Sequence, residues 1–182
     1  MKLGKQLAKI AEQQPQFDLF YAEHAAPGFR FALRLCGNYE DAEDLTAQAL
    51  AKAFVRWNQY RGDADPRTWL FKIVLNEWRM QCRKSKIPAT QLDDAERIPA
   101  STAFDDVGLS VAIASLTAAQ REAILLVKGE GLTHAEAAKV AGVPVGTMYF
   151  RVHSAMKALR KLLTETEEDL SGLNQVAYEV EL

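Results

Sequence analysis

The chain has 182 residues, 48% of them hydrophobic and 25% charged, and a formal net charge of −2. This composition is ordinary for globular proteins and argues against disorder, and the length suits one medium domain or two small ones. No apolar run approaches the roughly 20 residues of a membrane-spanning helix, and no apolar signal core follows the basic first residues. We therefore expect a cytoplasmic protein without membrane insertion.

Charge alternates along the chain. Residues 1–86 carry 14 basic and 10 acidic side chains, and residues 111–163 carry seven basic and three acidic ones. The other segments are acidic, with five acids and one base in 87–110 and six acids and no base in 164–182. Two basic blocks are compatible with a nucleic-acid partner even though the total charge is slightly negative.

Residues 16–86 are predicted to form the first of two helical lobes, after an N-terminal extension, 1–15. Between Phe20 and Leu35 the apolar side chains follow roughly one helical face, with Pro27 as an interruption. Strand-like alternation is hard to find. The pattern therefore predicts helix from the beginning of this lobe.

Turn residues divide the rest of the first lobe into two further helices. Gly37-Asn38 supplies a turn, and the acids in 40–44 suit the positive N-terminal end of the helix that follows. The stretch 60–66 is a predicted loop because it is rich in Gly, Asp and Pro. A third long helix follows and ends in a basic cluster near Lys84.

The stretch 87–107 is predicted to be a linker between the lobes. It is acidic, contains Pro88 and Pro99, and lacks a helical stripe. The chain beyond it is divided into a second lobe, 108–165, and an acidic tail, 166–182.

The second lobe contains two capping boxes, in which a Thr is followed three residues later by Gln or Glu. They are Thr117 with Gln120 and Thr133 with Glu136. A short Ala-rich helix follows Thr133, and after a Gly-containing turn the next helix has one apolar stripe. The stripe steps by three and four residues through Val145, Met148, Val152, Ala155, Leu159 and Leu162.

Two short helices separated by such a turn are typical of a helix-turn-helix. The predicted fold is therefore all-α, with two small helical domains joined by a linker and a helix-turn-helix in the C-terminal domain. Periodicity alone leaves DNA binding and a helical hairpin without a DNA role equally open.

Both lobes resemble bacterial sigma factors of the extracytoplasmic-function (ECF) group. The second lobe, LTAAQREAILLVKGEGLTHAEAAKVAGVPVGTMYFRVHSAMKALRKLL, resembles that group's promoter −35 binding region. The first, FALRLCGNYEDAEDLTAQALAKAFVRWNQYRGDADPRTWLFKIVLNEWRMQCRK, is similar to its region for the RNA polymerase clamp and the −10 element. The segment REAILLV most resembles the general-stress sigma factors of alphaproteobacteria, which are held by small anti-sigma proteins.

The resemblance implies a site for core polymerase on the second helix. Asp44, Leu45 and Gln48 match the family's D-L-x-x-Q motif, and Asp41 lies just before it. The family usually has Glu where this chain has Ala49, which predicts a docking face with one carboxylate fewer. Without the motif, a solvated acidic helix start explains these residues as well.

The resemblance also places a −10 surface in the first lobe, where a flipped base needs a stacking surface and polar groups for its edge. The loop that matches the family's base-capturing segment offers these residue types, and the following helix adds Asn76 and basic residues for phosphates. Trp69 and Trp78 are expected to be core anchors. The predicted −10 contacts are Tyr60, Arg61, Asp63, Asn76, Arg79, Arg83 and Lys84, with Asp65 as a further polar candidate.

The predicted −35 surface departs from the family pattern. The family usually has Lys or Arg at Tyr149, Ser at Phe150 and Arg at Ser154, so the side chains that read guanine by bidentate contacts are absent there. The Tyr149-Phe150 pair could contact thymine methyl groups or a protein partner. The predicted −35 contacts are Thr133, Lys139, Thr147, Tyr149, Phe150, Arg151, His153, Ser154 and Lys157.

By this resemblance the chain is an alternative sigma factor that binds the clamp and flap of core polymerase and promoter DNA. We expect it to act in a stress response, held by a small anti-sigma protein. A sigma-factor mimic that sequesters the anti-sigma protein without reading promoters is the alternative, favoured by the altered recognition helix. An unrelated helix-turn-helix regulator would leave the first lobe unexplained.

An enzyme is a poor fit, and no cofactor or metal is expected. The three His residues lie in different predicted helices, Cys36 and Cys82 are far apart in sequence, and no phosphate-binding Gly loop is present. The tail 166–182 either covers the basic face of the second lobe and weakens DNA binding, or solvates the chain end as a disordered segment. Its apolar residues could also dock on a lobe or an inhibitor.

Overall fold

The structure is a computed structural model that describes the backbone of residues 2–60, 62, 64–84 and 107–180 and the side chains of 14–60, 62, 64–84 and 108–164. These ranges contain helices and turns and no strand, which confirms the all-α prediction. The helices are α1 (Lys2–Cys36), α2 (Tyr39–Val55), α3 (Pro66–Lys84), α4 (Val107–Ala114), α5 (Ala118–Ile124), α6 (His134–Ala141) and α7 (Val145–Val180).

Helix α1 continues through Pro15 and Pro27, so the predicted interruption at Pro27 is wrong. A proline inside a helix removes one backbone hydrogen bond and strains the preceding turn. Here that cost is offset by burial of the apolar face of α1, including Phe31 and Leu35, which are fully covered against α2 and α3. Because α1 begins at Lys2, residues 2–15 of the predicted extension belong to the same helix as the start of the lobe.

The first lobe is a three-helix unit closed by an aromatic cluster. Gly37 has a φ of +79°, which a residue with a side chain rarely adopts, and Asn38 caps α2 by accepting a hydrogen bond from the Asp41 amide. A 3-10 turn, Trp57–Gln59, follows α2, and the Trp57 ring lies 5.9 Å from that of Trp69. The predicted core role is confirmed for Trp78, which is 4% exposed.

The second lobe forms as its caps predict. Thr117 and Thr133 both make complete capping boxes, and Gly142 ends α6 in the left-handed conformation. The apolar stripe of α7 is buried from Met148 to Leu159, whereas its first member, Val145, is exposed. These contacts confirm the predicted pair of helices, α6 and α7, joined by a tight turn.

Two boundaries differ from the prediction. Val107 begins α4, so the second lobe starts within the predicted linker, whose other residues, like 85 and 86, lie outside the described ranges. Helix α7 continues to Val180, so the backbone of the tail is helical through that residue, whereas a disordered end was one of the alternatives for it. Across the part of the chain that is described, no helix is long and apolar enough to cross a membrane.

Leu45 lies in the core of the first lobe, and its removal tests that placement. We expect Leu45→Ala to lower the free energy of unfolding by about 2–5 kcal/mol, because it leaves a cavity among fully buried side chains. Urea unfolding followed by circular dichroism measures the loss. The matched control is Gln48→Ala, one turn further along the same helix and exposed. An equal, small effect of both changes would contradict the packing.

Candidate polymerase and nucleic-acid interface

Helix α2 presents an exposed polar face to any partner of the first lobe. Asp41, Asp44 and Gln48 are spaced by three and four residues and are all exposed, so they share one side of the helix. Asn38 donates a 2.7 Å hydrogen bond to the Asp41 carboxylate and thereby orients it. The prediction that Leu45 contacts polymerase directly is wrong, because its side chain is fully buried. Leu45 instead anchors the helix that carries the other three residues.

Position 49 belongs to the inner side of the same helix. Ala49 is fully buried, as is Ala53 one turn later. The Glu that the family usually has here is therefore absent from a position that faces the core. No carboxylate is lost from the exposed side of the helix. The predicted loss of one surface carboxylate is wrong for this reason.

The segment before α3 is held by its own side chains. The Tyr60 ring stacks on Trp57 at 5.4 Å, and its hydroxyl donates a 2.5 Å hydrogen bond to the carbonyl of Ala64. Asp65, a candidate for a base edge, accepts hydrogen bonds from the amides of Arg67 and Thr68 at the beginning of α3. Arg61 and Asp63 lie outside the described residues.

The basic residues of α3 differ in their surroundings. Asn76, Arg83 and Lys84 are exposed, whereas the Arg79 guanidinium faces the second lobe. Arg79 donates from Nε and Nη2 to the two carboxylate oxygens of Glu122, at 2.7 and 2.5 Å, and from Nη1 to the Ala141 carbonyl at 3.1 Å. The hydrogen bond to Glu122 also raises the pKa of Arg79. Of the predicted −10 residues, Arg79 is thus already engaged by a carboxylate.

The outward side of α7, the second helix of the predicted helix-turn-helix, is aromatic. Tyr149 is 56% exposed and Phe150 72% exposed, and the Tyr149 ring lies flat on His134, with ring centres 3.9 Å apart and an interplanar angle of 9°. His153 and Lys157 are exposed further along the helix. His134 is the first residue of α6, and its stacking on a residue of the next helix was not predicted from the sequence.

Other predicted −35 residues are engaged within the protein. Ser154 accepts a 2.8 Å hydrogen bond from Gln120 of α5, and Arg151 lies 3.9 Å from the Glu122 carboxylate. Thr147 is half-buried, and the Thr133 hydroxyl is used by its capping box. Lys139 is exposed on α6. The predicted −35 residues that remain exposed are thus concentrated on the outward side of α6 and α7.

Two carboxylates that sequence analysis did not select join the lobes. The side chains of Glu122 and Glu130 are each 5% exposed. Glu130 accepts hydrogen bonds from Arg34 of α1 at 2.7 Å and Arg67 of α3 at 2.5 Å. It follows a π-helical turn, Leu125–Gly129, and its amide donates to the carbonyl five residues earlier, at 2.8 Å.

Arg121 adds a third connection between the lobes. Its guanidinium is buried and donates to the carbonyl of Leu35 at 3.2 Å and to carbonyls before α5, including those of Ile113 and Ala114. Burial lowers the pKa of Arg121. Because carbonyls rather than a carboxylate receive these bonds, Arg121 ties the end of α1 to the beginning of the second lobe.

The described residues do not indicate metal or thiol chemistry. No cluster of His, Cys, Asp or Glu within them is arranged to hold a metal ion. Burial raises the pKa of the Cys36 thiol to about 12 and also raises that of Cys82. Both thiols therefore stay protonated near neutral pH.

Comparisons with known proteins match both lobes. The models for Sigma-70 region 2 and Sigma-70 region 4 match residues 20–87 and 108–159. The ECF RNA polymerase sigma factor EcfG of Rhodopseudomonas palustris is 32% identical over 149 residues, 76% of this chain and 81% of that protein.

Solved structures also match. The sigma factor RpoE of Bartonella quintana, in complex with the anti-sigma factor NepR, is 30% identical, with a TM-score of 0.68 over 82% of this chain and 97% of that one. CnrH in complex with the cytosolic domain of CnrY, 24% identical with a TM-score of 0.66 over 87% and 94%, supports the fold alone.

The capping box at Thr133 gives a prediction for acid pH. The Thr133 hydroxyl and amide hold the pKa of the Glu136 carboxyl below its usual value. The stabilisation that Glu136 provides is therefore present above its unfolded-state pKa and is lost as the pH falls through the folded-state value. We expect Thr133→Ala to raise the Glu136 pKa, measured by NMR titration of its carboxyl carbon.

The matched control for this change is Thr117→Ala, which removes the same hydroxyl from the capping box of α5. It should leave the Glu136 titration in place. A Glu136 pKa that does not move in Thr133→Ala would show that the hydroxyl does not stabilise the carboxylate.

Proposed function

This chain belongs to the extracytoplasmic-function group of RNA polymerase sigma factors, and we propose which of its surfaces bind polymerase and promoter. The exposed side of α2 docks on the polymerase clamp. The segment 60–68 with α3 meets the −10 element, and the outward side of α6 and α7 meets the −35 element while the second lobe contacts the flap. The observation that carries this assignment is that α2, α3, α6 and α7 each present exposed polar or aromatic side chains on one side while the opposite side is buried.

The −35 surface is proposed to read an altered sequence. Aromatic and apolar side chains contact the thymine methyl group in the major groove, whereas Arg reads guanine through two hydrogen bonds. Tyr149 and Phe150 offer the first kind of contact and are held outward, and Ser154 is engaged by Gln120. We therefore assign this chain a −35 element with thymine where most family members read guanine.

A small anti-sigma protein is the proposed inhibitor, and a stress response the proposed setting. The support is the B. quintana sigma factor bound to an anti-sigma factor, because its match extends over 82% of this chain and so includes both lobes. A mimic that only sequesters such an inhibitor is the second candidate. The two exposed aromatic residues at the base-reading positions favour it.

Reconstitution with core RNA polymerase separates the two candidates. We expect the full chain to bind core and to produce specific transcript starts, mapped by sequencing. Asp41→Ala with Asp44→Ala should reduce core affinity at least tenfold, measured by fluorescence anisotropy, because it removes the two carboxylates that share an exposed side of α2 with Gln48. Asp18→Ala with Glu23→Ala, equal in charge and exposed on α1 rather than α2, is the control. A wild-type chain that binds a small helical inhibitor but not core would establish the mimic.

The proposed change in −35 preference can be tested by replacing Tyr149 with Arg, one of the residues that the family usually has at that position. We expect Tyr149→Arg to raise the preference for guanine at one −35 position by about tenfold, since a bidentate contact is worth roughly 1–3 kcal/mol. Selection from a randomised −35 library by the holoenzyme measures the preference. Lys157→Ala is the control, because loss of a phosphate contact should weaken all sequences alike. A wild-type preference for guanine at that position would contradict the assignment.

A further inference from the structure

The two exposed aromatic side chains of the proposed −35 surface differ in what holds them. The Tyr149 ring is 56% exposed and lies nearly face to face with that of His134, the first residue of α6, with ring centres 3.9 Å apart. Phe150 is 72% exposed and stacks on no ring within the described part of the chain. Of this pair, Tyr149 is therefore the side chain whose orientation is fixed by a second aromatic ring.

The backbone on both sides of this stack is fixed by local contacts. Thr133 caps α6 immediately before His134, because its hydroxyl accepts a hydrogen bond from the Glu136 amide and its own amide donates to the Glu136 carboxylate at 2.8 Å. On α7, Met148 is fully buried directly before Tyr149. The stack therefore joins two fixed points, the beginning of α6 and the first turns of α7, and gives the Tyr149 ring a defined position.

The part of the Tyr149 ring that stays accessible is apolar. In a helix-turn-helix the second helix enters the major groove, and residues near its N-terminal end meet the base edges. Tyr149 lies one turn into α7, so it occupies such a position on the proposed −35 surface. Since His134 covers one face of the ring, the exposed part consists of the opposite face and the edges. An aromatic face of this kind packs well against a methyl group.

Holding the ring in advance increases the affinity that such a contact provides. In the major groove thymine presents an acceptor, O4, and the methyl group on C5. An exposed tyrosine that is not held must lose conformational freedom when it binds, and this cost reduces the affinity gained from a single methyl contact. Because the stack on His134 already orders the Tyr149 ring in the protein, less of that cost is incurred when DNA binds.

We propose that His134 positions the Tyr149 ring against the C5-methyl group of a thymine in the −35 element, so that binding depends on this methyl group. His134 is thus a positioning residue that acts through Tyr149 and does not itself read the DNA. The inference rests on the proposed function, since it takes the outward side of α6 and α7 as the −35 surface. The stack itself can be measured without DNA or polymerase.

The binding experiment replaces thymine by deoxyuridine, which keeps the O4 acceptor and lacks only the methyl group. The holoenzyme of full chain and core polymerase is titrated by fluorescence anisotropy with duplexes carrying its selected −35 element, in which each thymine is replaced in turn. We expect one replacement to weaken binding about fourfold, the effect of losing one buried methyl group. His134→Ala should bring this ratio of affinities close to one, because the ring of Tyr149 is then no longer held.

Rescue by another aromatic ring separates positioning from direct contact. His134→Phe keeps a flat ring beside Tyr149 and should retain the wild-type ratio, whereas a His134 that bound phosphate would weaken both duplexes alike in both variants, and the proposal would fail. In a Tyr149→Ala background, His134→Ala should not change the ratio further. The matched control is His153→Ala, an exposed histidine of α7 that stacks on no ring among the described residues. Whatever its effect on affinity, the ratio should stay at the wild-type value.

NMR of the full chain without DNA measures the stack directly. The ring current of His134 should displace the signals of the Tyr149 ring, assigned with Tyr149→Phe, and His134→Ala should remove this displacement while the rest of the spectrum shows a folded protein. Tyr149 signals that do not respond to His134→Ala would overturn the inference. So would a wild-type holoenzyme that selects thymine but binds deoxyuridine equally well. A holoenzyme that selects no −35 sequence, with the stack intact, would instead overturn the proposed function and with it this role of the stack.

Discussion

Burial of two carboxylates between the lobes is the constraint on which the arrangement of this molecule depends. Glu122 and Glu130 would be strongly destabilising without their arginines, since breaking a buried pair by removing one partner costs about 3–5 kcal/mol. The lobes must therefore meet in a position that brings Arg34, Arg67 and Arg79 to them. An apolar interface tolerates sliding, but hydrogen bonds from a planar guanidinium to both oxygens of a carboxylate do not.

This constraint also affects the surfaces proposed to bind DNA. The basic residues of α3 that were predicted to contact the −10 element fall into two groups. Arg83 and Lys84 are exposed, while Arg79 is paired with Glu122. On α7, Tyr149 is exposed and Arg151 is near a carboxylate. The chain thus presents an aromatic surface to solvent at the proposed −35 site, while Arg79, one of the proposed phosphate-binding residues, is paired with a carboxylate inside the protein.

The sequence predicted the features that depend on neighbouring residues. Capping boxes and the apolar stripe of α7 involve residues three or four apart, so their pattern is visible in one dimension. The resemblance to sigma factors predicted the order of the two lobes, which the family models confirm.

What the sequence could not predict depends on contacts between distant residues. Glu122 looks like any acid in an early helical turn, and only the fold brings it to Arg79, 43 positions earlier. The stacking of His134 on Tyr149 similarly requires the angle between α6 and α7. Leu45 and Ala49 were assigned to a surface by their motif, but the motif does not state which of its residues face the core. The predicted interruption of α1 at Pro27 was wrong for the same reason, because the packing that keeps α1 helical involves residues that are distant in sequence.

The π-helical turn before Glu130 gives the second lobe a point at which its length can change. Such a turn contains one residue more than an α-helical turn, and the amide of Glu130 donates to the carbonyl of Leu125 five residues earlier instead of four. Loss of one residue between Leu125 and Gly129 would restore the four-residue spacing of a regular α-helix and leave the glutamate facing Arg34 and Arg67. The buried contact between the lobes therefore tolerates a one-residue difference in chain length at this turn.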